Sequence, residues 1–457
     1  MLTHKNILIS CAALVVTGCT MIPKYERPAT PVAASYPGAT QTVSNLTASE
    51  LSWTNFFAEE RLRKLIELSL ANNRDLRVAM LNVEQSRAQY RITRSAMFPS
   101  VSADGSYTRA GDFTTTSEAW SATLGSTAYE VDLFGRVRSQ NRQALETFFA
   151  TTEAQRSAKL SLVAEVASQY FALRQVEEQQ ALAERTLTAV QESYSLNKST
   201  FEAGAASELD LRTAEGQVQT AKINILNYRR QKAQAENALT LLVGCALPSD
   251  LPAASPFGDS NLLADIPAGL PSELVQRRPD ILQAEHTLKA ANANVGAARA
   301  AFFPRITLTS SIGTTSSQLS ELFGSGTGVW SFSPQISVPI FAGGQLRADL
   351  EAAKVGTHIE VANYEKAIQT AFREVADALA ANSTYAMELT ERSILIAAQE
   401  RRFELATLRY RQGEDSYLNV LSAQQDFYSA QQGLLAAQYN KLTSQISLYQ
   451  ALGGGWK

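Results

Sequence analysis

Side chains able to do bond chemistry are sparse in this chain. Its 457 residues include three histidines, His4, His286 and His358, and three cysteines, Cys11, Cys19 and Cys245. That supply argues against a multi-ligand metal site or a disulfide framework. His286 and His358 fall in helical patterns, where a packed or solvated imidazole is the reading preferred over a base. No serine stands at a nucleophile elbow, and Gly453-Gly454-Gly455 ends the chain rather than opening a phosphate loop. The five methionines are scattered and form no relay for soft cations. With 41 basic and 44 acidic residues, a formal charge of −3 leaves no basic footprint for nucleic acid. The chain reads as one without catalytic residues, metal or cofactor.

One residue does carry chemistry of its own. Lys5 and the apolar run Ile7–Val16 form the charged and hydrophobic parts of a secretory signal, too short to span a bilayer as a helix. The run leads into Val16-Thr17-Gly18-Cys19, which resembles a bacterial lipobox, with cleavage before Cys19 and acylation of its thiol. Each buried acyl methylene contributes ~0.8 kcal/mol, so an acylated Cys19 holds the mature chain at a membrane face. Thr20 follows Cys19 where an inner-membrane retention signal has Asp, which favours the outer membrane. Cys245 is then the one remaining thiol and reads as a small buried hydrophobe.

The elements around these residues come in duplicate. Asn73-Arg74-Asp75-Leu76 through Phe98-Pro99 matches Arg278-Pro279-Asp280-Ile281 through Phe303-Pro304 at an offset of 205. Glu165-Val166-Ala167, Gly204, Ser207, Leu209 and Gly244 match Glu374-Val375-Ala376, Gly413, Ser416, Leu418 and Gly453 at an offset of 209. A period near 207 is a duplicated domain-sized unit, too long for a solenoid. Residues 100–247 and 340–457 contain no proline, which suits long helices.

Within each unit the hydrophobic period changes twice. Residues 58–95 read as helix, then Val101, Ala103 and Tyr107 alternate with polar neighbours. In the second unit Ile306 and Leu308, then Trp330, Phe332, Ile336, Val338 and Ile340, alternate with Ser, Thr and Gln. These spacings predict two strands per unit of a length that crosses a bilayer when tilted, with loops near 109–119 and 313–328. Helical spacing then returns from about 136 to Gly204 and from 208 to 243. Gly204 and Gly413 mark the turns of two antiparallel hairpins. Four strands cannot close a barrel, and open edges are not viable in lipid, so three copies giving twelve strands is the expected assembly. The rival reading is a soluble coiled-coil protein with a small sandwich.

Taken in order, several motifs resemble the outer-membrane factor family, the exit ducts of Gram-negative tripartite efflux pumps. They include Cys19 with Pro23-Lys24-Tyr25-Glu26-Arg27-Pro28, Asn72–Arg77, Leu133-Phe134-Gly135-Arg136, Arg278–Ile281, Gly296–Pro304, Tyr364–Gln369, Glu374–Asp377 and Ala451–Trp456. The branch resembled is the lipoprotein type serving resistance-nodulation-division pumps. The resemblance implies a trimeric α+β membrane protein, with a twelve-stranded β-barrel in the outer membrane, a twelve-helix periplasmic tunnel and a mixed equatorial belt. The chain then divides into a signal peptide (1–18), a lipidated segment and belt (19–57), a first repeat (58–244), a linker (245–270), a second repeat (271–453) and a tail (454–457). Implied partners are a second and third copy, outer-membrane lipid, a periplasmic membrane-fusion adaptor and an inner-membrane pump.

By the same resemblance the periplasmic gate involves Leu418, Asn419 and Ser422, with Asp210 as the repeat-mate of Asn419. Asn419 and Ser422 depart from the carboxylates that relatives commonly carry there. Arg409 and Tyr410 are candidates for bonds that hold the gate shut, and Gly204, Ser207, Gly413 and Ser416 for the tips that meet the adaptor. The expected function is a passive conduit for drugs or other toxic small molecules, opened when the adaptor docks. A duct for heavy-metal cations or type I secretion is the alternative, and a structural lipoprotein scaffold a more remote one.

Overall fold

A computed structural model describes residues 20–36, 52–257, 263 and 277–454. The signal segment, Cys19, part of the belt and linker, and the last three residues lie outside the described residues. The chain divides into two compact units, and each draws matching segments from both sequence repeats. Among the described residues, one holds 20–30, 81–153 and 282–367, and the other 31–36, 52–80, 154–257, 263, 277–281 and 368–454.

The first unit is organised by one antiparallel sheet in the order β1 (Ser102–Gly111), β2 (Thr116–Glu130), β3 (Arg305–Ser316) and β4 (Gly328–Ser337). Register fixes what each face carries. Trp330 lies opposite Ile312, Ile336 opposite Ile306, Leu124 opposite Ile312, and Tyr107 opposite Trp120, so the apolar residues share a face. The other face is a hydroxyl ladder in which Ser106 and Ser121 share a hydrogen bond at 2.8 Å, and Ser311 and Ser331 one at 2.7 Å. A bulge between Ser126 and Tyr129, with Ala128 at φ 55°, shifts the phase of β2 and returns Tyr129 to the apolar face opposite Leu308. The first loop is tighter than expected, because β1 and β2 extend to Gly111 and Thr116. The second spans 317–327, and Val338 and Ile340 lie past the end of β4.

Helices frame the strands. In order come α1 (Trp53–Phe56), α2 (Glu60–Asn72) and α3 (Arg74–Ser95), then α4 (Arg136–Glu202) and α5 (Glu208–Val243), then α6 (Pro279–Ala300), α7 (Gln345–Arg411) and α8 (Tyr417–Ala451). Both α4 and α7 run for 67 residues, about 100 Å at the helical rise. The span 58–95, a single helix by its periodicity, is two helices broken at Asn73. Its side chain caps α3 through Leu76 N at 2.9 Å and donates to the Leu242 carbonyl at 2.9 Å. Its repeat-mate Arg278 donates to the Ala451 carbonyl, also at 2.9 Å. Duplicated positions thus close off duplicated helix ends with different side chains.

The second unit packs α1 and α2 against the middle of α4 and the ends of α5 and α8. Phe56, Phe57, Leu62, Ile66, Val166, Phe171, Val243 and Tyr449 are almost wholly buried there, each contributing ~1.5–3 kcal/mol by burial. Phe56 stacks on Tyr449 with ring centroids 4.1 Å apart. Glu59, buried beside them, accepts from the Tyr170 hydroxyl and from Ser255 N. Among the described residues no helix is long and apolar enough to cross a membrane.

Candidate functional site

The free ends of the two hairpins share a backbone and differ in side-chain chemistry. Gly204 and Gly413 take φ of +79° and +78° between their helices, a left-handed conformation that glycine adopts without strain. At the first tip Ser207 caps α5. Its Oγ accepts from Asp210 N at 3.1 Å and donates to Asp210 Oδ2 at 2.6 Å, and Ser207 N donates to the same oxygen at 3.4 Å, which closes a capping box. The Asp210 carboxylate is therefore engaged in starting its own helix.

At the second tip Ser416 holds the N-cap position without a side-chain bond. Asp415 takes over, accepting from Ser416 N at 2.9 Å and from the Asn419 amide, with Arg409 Nε 3.5 Å from its other oxygen. The Asn419 bond, then the Ser416 N–H, hold the Asp415 carboxyl below the usual carboxylate range.

Between the tips two tyrosines tie the hairpins together. The Tyr410 hydroxyl donates to Asn197 Oδ1 at 2.9 Å, and Ser193 Oγ donates to the Tyr417 hydroxyl at 3.1 Å. Their rings lie 5.6 Å apart, and Tyr417 is buried with Ala214 and Val420. Burial first, then the charge of Asp210, pushes the Tyr410 phenol above its ordinary value, and burial raises Tyr417 against the opposing Ser193 bond. Leu418 projects outward at 66% exposure and its repeat-mate Leu209 at 75%. Ser422 accepts from Arg402 at 3.4 Å, and Arg402 also meets Asp426 at 2.5 Å.

Of the residues singled out by sequence, Tyr410 packs on Tyr417, and Asp210 pairs with Ser207 at the start of its own helix. Arg409 and Asn419 meet instead at Asp415, while Ser422 pairs with Arg402. Asp415, Asn197 and Ser193 were missed. Asp415, just before a helix-starting serine, carries a local signal. Asn197 has none, since its partner is 213 residues away.

Residues 65–245 and 270–454 match the family model described as outer membrane efflux protein. The chain belongs to that family. It is 47% identical to the toluene efflux pump outer membrane protein TtgC of Pseudomonas putida, over all of this chain and 96% of that protein. It is 42% identical to outer membrane protein OprJ of Pseudomonas aeruginosa, over 97% and 94% of the two chains. Among solved structures it is similar to the open state of the Neisseria gonorrhoeae MtrE outer membrane channel, with TM-score 0.90 and 42% identity over 96% of this chain and 99% of that one. CusC superposes with TM-score 0.88 at 39% identity, over 96% and 100%. This member of the outer membrane efflux protein family is an outer-membrane channel, a conduit and not an enzyme.

Proposed function

We propose that three copies close their sheets into one twelve-stranded barrel through the outer membrane and join their hairpins into a tunnel reaching into the periplasm. The observation that carries this reading is the sheet itself. It has four strands, an apolar and a hydroxyl face, and unpaired outer edges on β1 and β4. Unpaired backbone groups each cost several kcal/mol in hydrocarbon, so the edges must find strands from neighbouring copies. With the apolar face on lipid, the hydroxyl face lines a wet pore.

A periplasmic membrane-fusion adaptor docks on the tips around Gly204, Ser207, Gly413 and Ser416, and an inner-membrane pump of the resistance-nodulation-division type supplies cargo. Leu418 forms the dry constriction of the resting duct, flanked by Asp210, Asn419 and Ser422, and the bonds of Arg409 and Tyr410 hold the tips in their resting packing. A lipid on Cys19 adds an anchor. The cargo is small, toxic and largely apolar. In support, relatives 45–48% identical are named for toluene, solvent and antibiotic efflux.

Removing the gene and restoring it tests this directly. Loss should raise sensitivity to toluene and to apolar antibiotics, and the intact gene should reverse it. Unchanged sensitivity in a strain lacking other such ducts would contradict the proposal.

A further inference from the structure

The four strands contain only five charged residues: Asp104, Arg109, Glu118, Glu130 and Arg305. Register sorts them by face. Arg109 and Glu118 lie opposite one another, in phase with Tyr107 and Trp120, and pair with each other at 3.6 Å on the apolar face. Asp104 lies opposite Thr123, which lies opposite Gly313, all on the hydroxyl face. Beyond the bulge Glu130 lies opposite Thr307 on that same face, two residues from Arg305.

The two hydroxyl-face charge centres differ in sign. Glu130 accepts from Arg136 Nε at 2.8 Å and meets Arg305 Nε at 2.8 Å, so one carboxylate faces two guanidiniums and the group is net cationic. Asp104 has no such counter-charge among the described residues. Its carboxylate accepts from the neutral Ser102 hydroxyl at 2.7 Å, and its cross-strand neighbours are Thr123 and Gly313. The level of Asp104 is that of Gly313, eight residues along β3 from Arg305, or roughly 26 Å at the strand rise. That separation is well beyond the screening length of about 8 Å at physiological salt, so the cationic group leaves the field at Asp104 in place.

We infer that Asp104 is the residue that sets the charge preference of the barrel section. On the proposed threefold barrel, on which this inference rests, its three copies form an anionic ring at a level whose other inward residues, Thr123, Gly313 and Val329, are uncharged. A ring of one sign inside a low-dielectric wall raises the local concentration of opposite charge. Cationic amphiphiles then pass this level more readily than anionic ones of the same size. Arg305 forms a second, oppositely signed level where the sheet meets α4 and α6. The Asp210 carboxylate is held in its capping box on the other unit and is no part of this ring.

The test reads local potential and does not need an open gate. A single reporter cysteine, Thr123→Cys, faces Asp104 across the strand pair in a background without the thiol of Cys245. Intact cells are treated from outside with a cationic and with an anionic methanethiosulfonate of similar size. The Thr123→Cys reporter should react faster with the cationic reagent, and Asp104→Asn should lower the cation-to-anion rate ratio by about three- to tenfold. Asp104→Glu should preserve the ratio, and Asp210→Asn should leave it unchanged. A Leu124→Cys reporter, on the apolar face, should be inert. An unchanged ratio in the Asp104→Asn protein, with the reporter still reactive, would overturn the role of Asp104. A reactive Leu124→Cys with an inert Thr123→Cys would instead overturn the pore-facing assignment of the hydroxyl face, and the barrel reading with it.

Discussion

Glu285 holds the segment around Tyr25 and Arg27 to α6. Its carboxylate, almost fully buried, accepts from Arg27 at 2.8 and 3.1 Å, from the Tyr25 hydroxyl at 3.2 Å, and from Lys289 at 3.0 Å. Further along α6, Asn292 donates to the Pro23 carbonyl, and a side chain at Gly296 would strike Ile22 at 2.6 Å. Residues 21–27 thus run along α6 as a strap. The repeat-mates of Glu285 and Gly296 are Met80 and Arg91, so the first repeat offers neither the carboxylate nor the gap. Burial pushes the Glu285 carboxyl up, but the bonds and charges of Lys289 and Arg27 together outweigh it and hold the value low. A depressed folded value means stabilisation present above the ordinary carboxylate pKa of about 4.3 and lost as pH falls through the folded value. The strap should therefore stay protected from proteolysis at pH 5 and become cleavable only below about pH 4. Cleavage at pH 5 well above that at pH 7, or protection unchanged down to pH 3, would contradict the assignment. The Tyr25–Arg27 motif was legible in sequence, but its acceptor, 258 residues away, was not.

At the scale of elements, periodicity located the long helices because one face of each must be apolar for 35 to 67 residues, and no proline interrupts them. It located the strands because a two-sided sheet forces strict alternation. It did not show the break at Asn73, where the apolar spacing continues through the capping side chain, nor the bulge in β2, which a period of two cannot encode. At the tips, the family resemblance suggested Asp210 as a carboxylate of the gate. In the structure that carboxylate is engaged with Ser207, three residues before it, in a capping box, an interaction set by local spacing.

Glycines give a test at this scale. Gly204 and Gly244 both sit near φ +78°, but only Gly244 is crowded, with the Asn72 carbonyl 2.5 Å from where a Cβ would lie. Gly204→Ala should cost ~1–2 kcal/mol from the left-handed backbone alone. Gly244→Ala should cost clearly more and lower the melting temperature further. Equal losses would mean that α2 and the end of α5 are not packed this closely.

For the whole molecule, what matters is how an open sheet becomes a channel. Sequence carried this far, since alternation, strand number and the cost of bare edges in lipid together demand partners. The pairing across edges belongs to the assembly and to no local pattern. If the rotation closes after three copies, β1 of each chain meets β4 of the next and no edge is left over. The decisive measurement is therefore oxidative cross-linking between these edges in membranes, using Ser106→Cys on β1 together with Ser331→Cys or Ser333→Cys on β4, without the thiol of Cys245. Covalent dimers and trimers, and nothing larger, are expected. Monomers alone at every pairing, or a ladder running past three, would contradict closure after three copies.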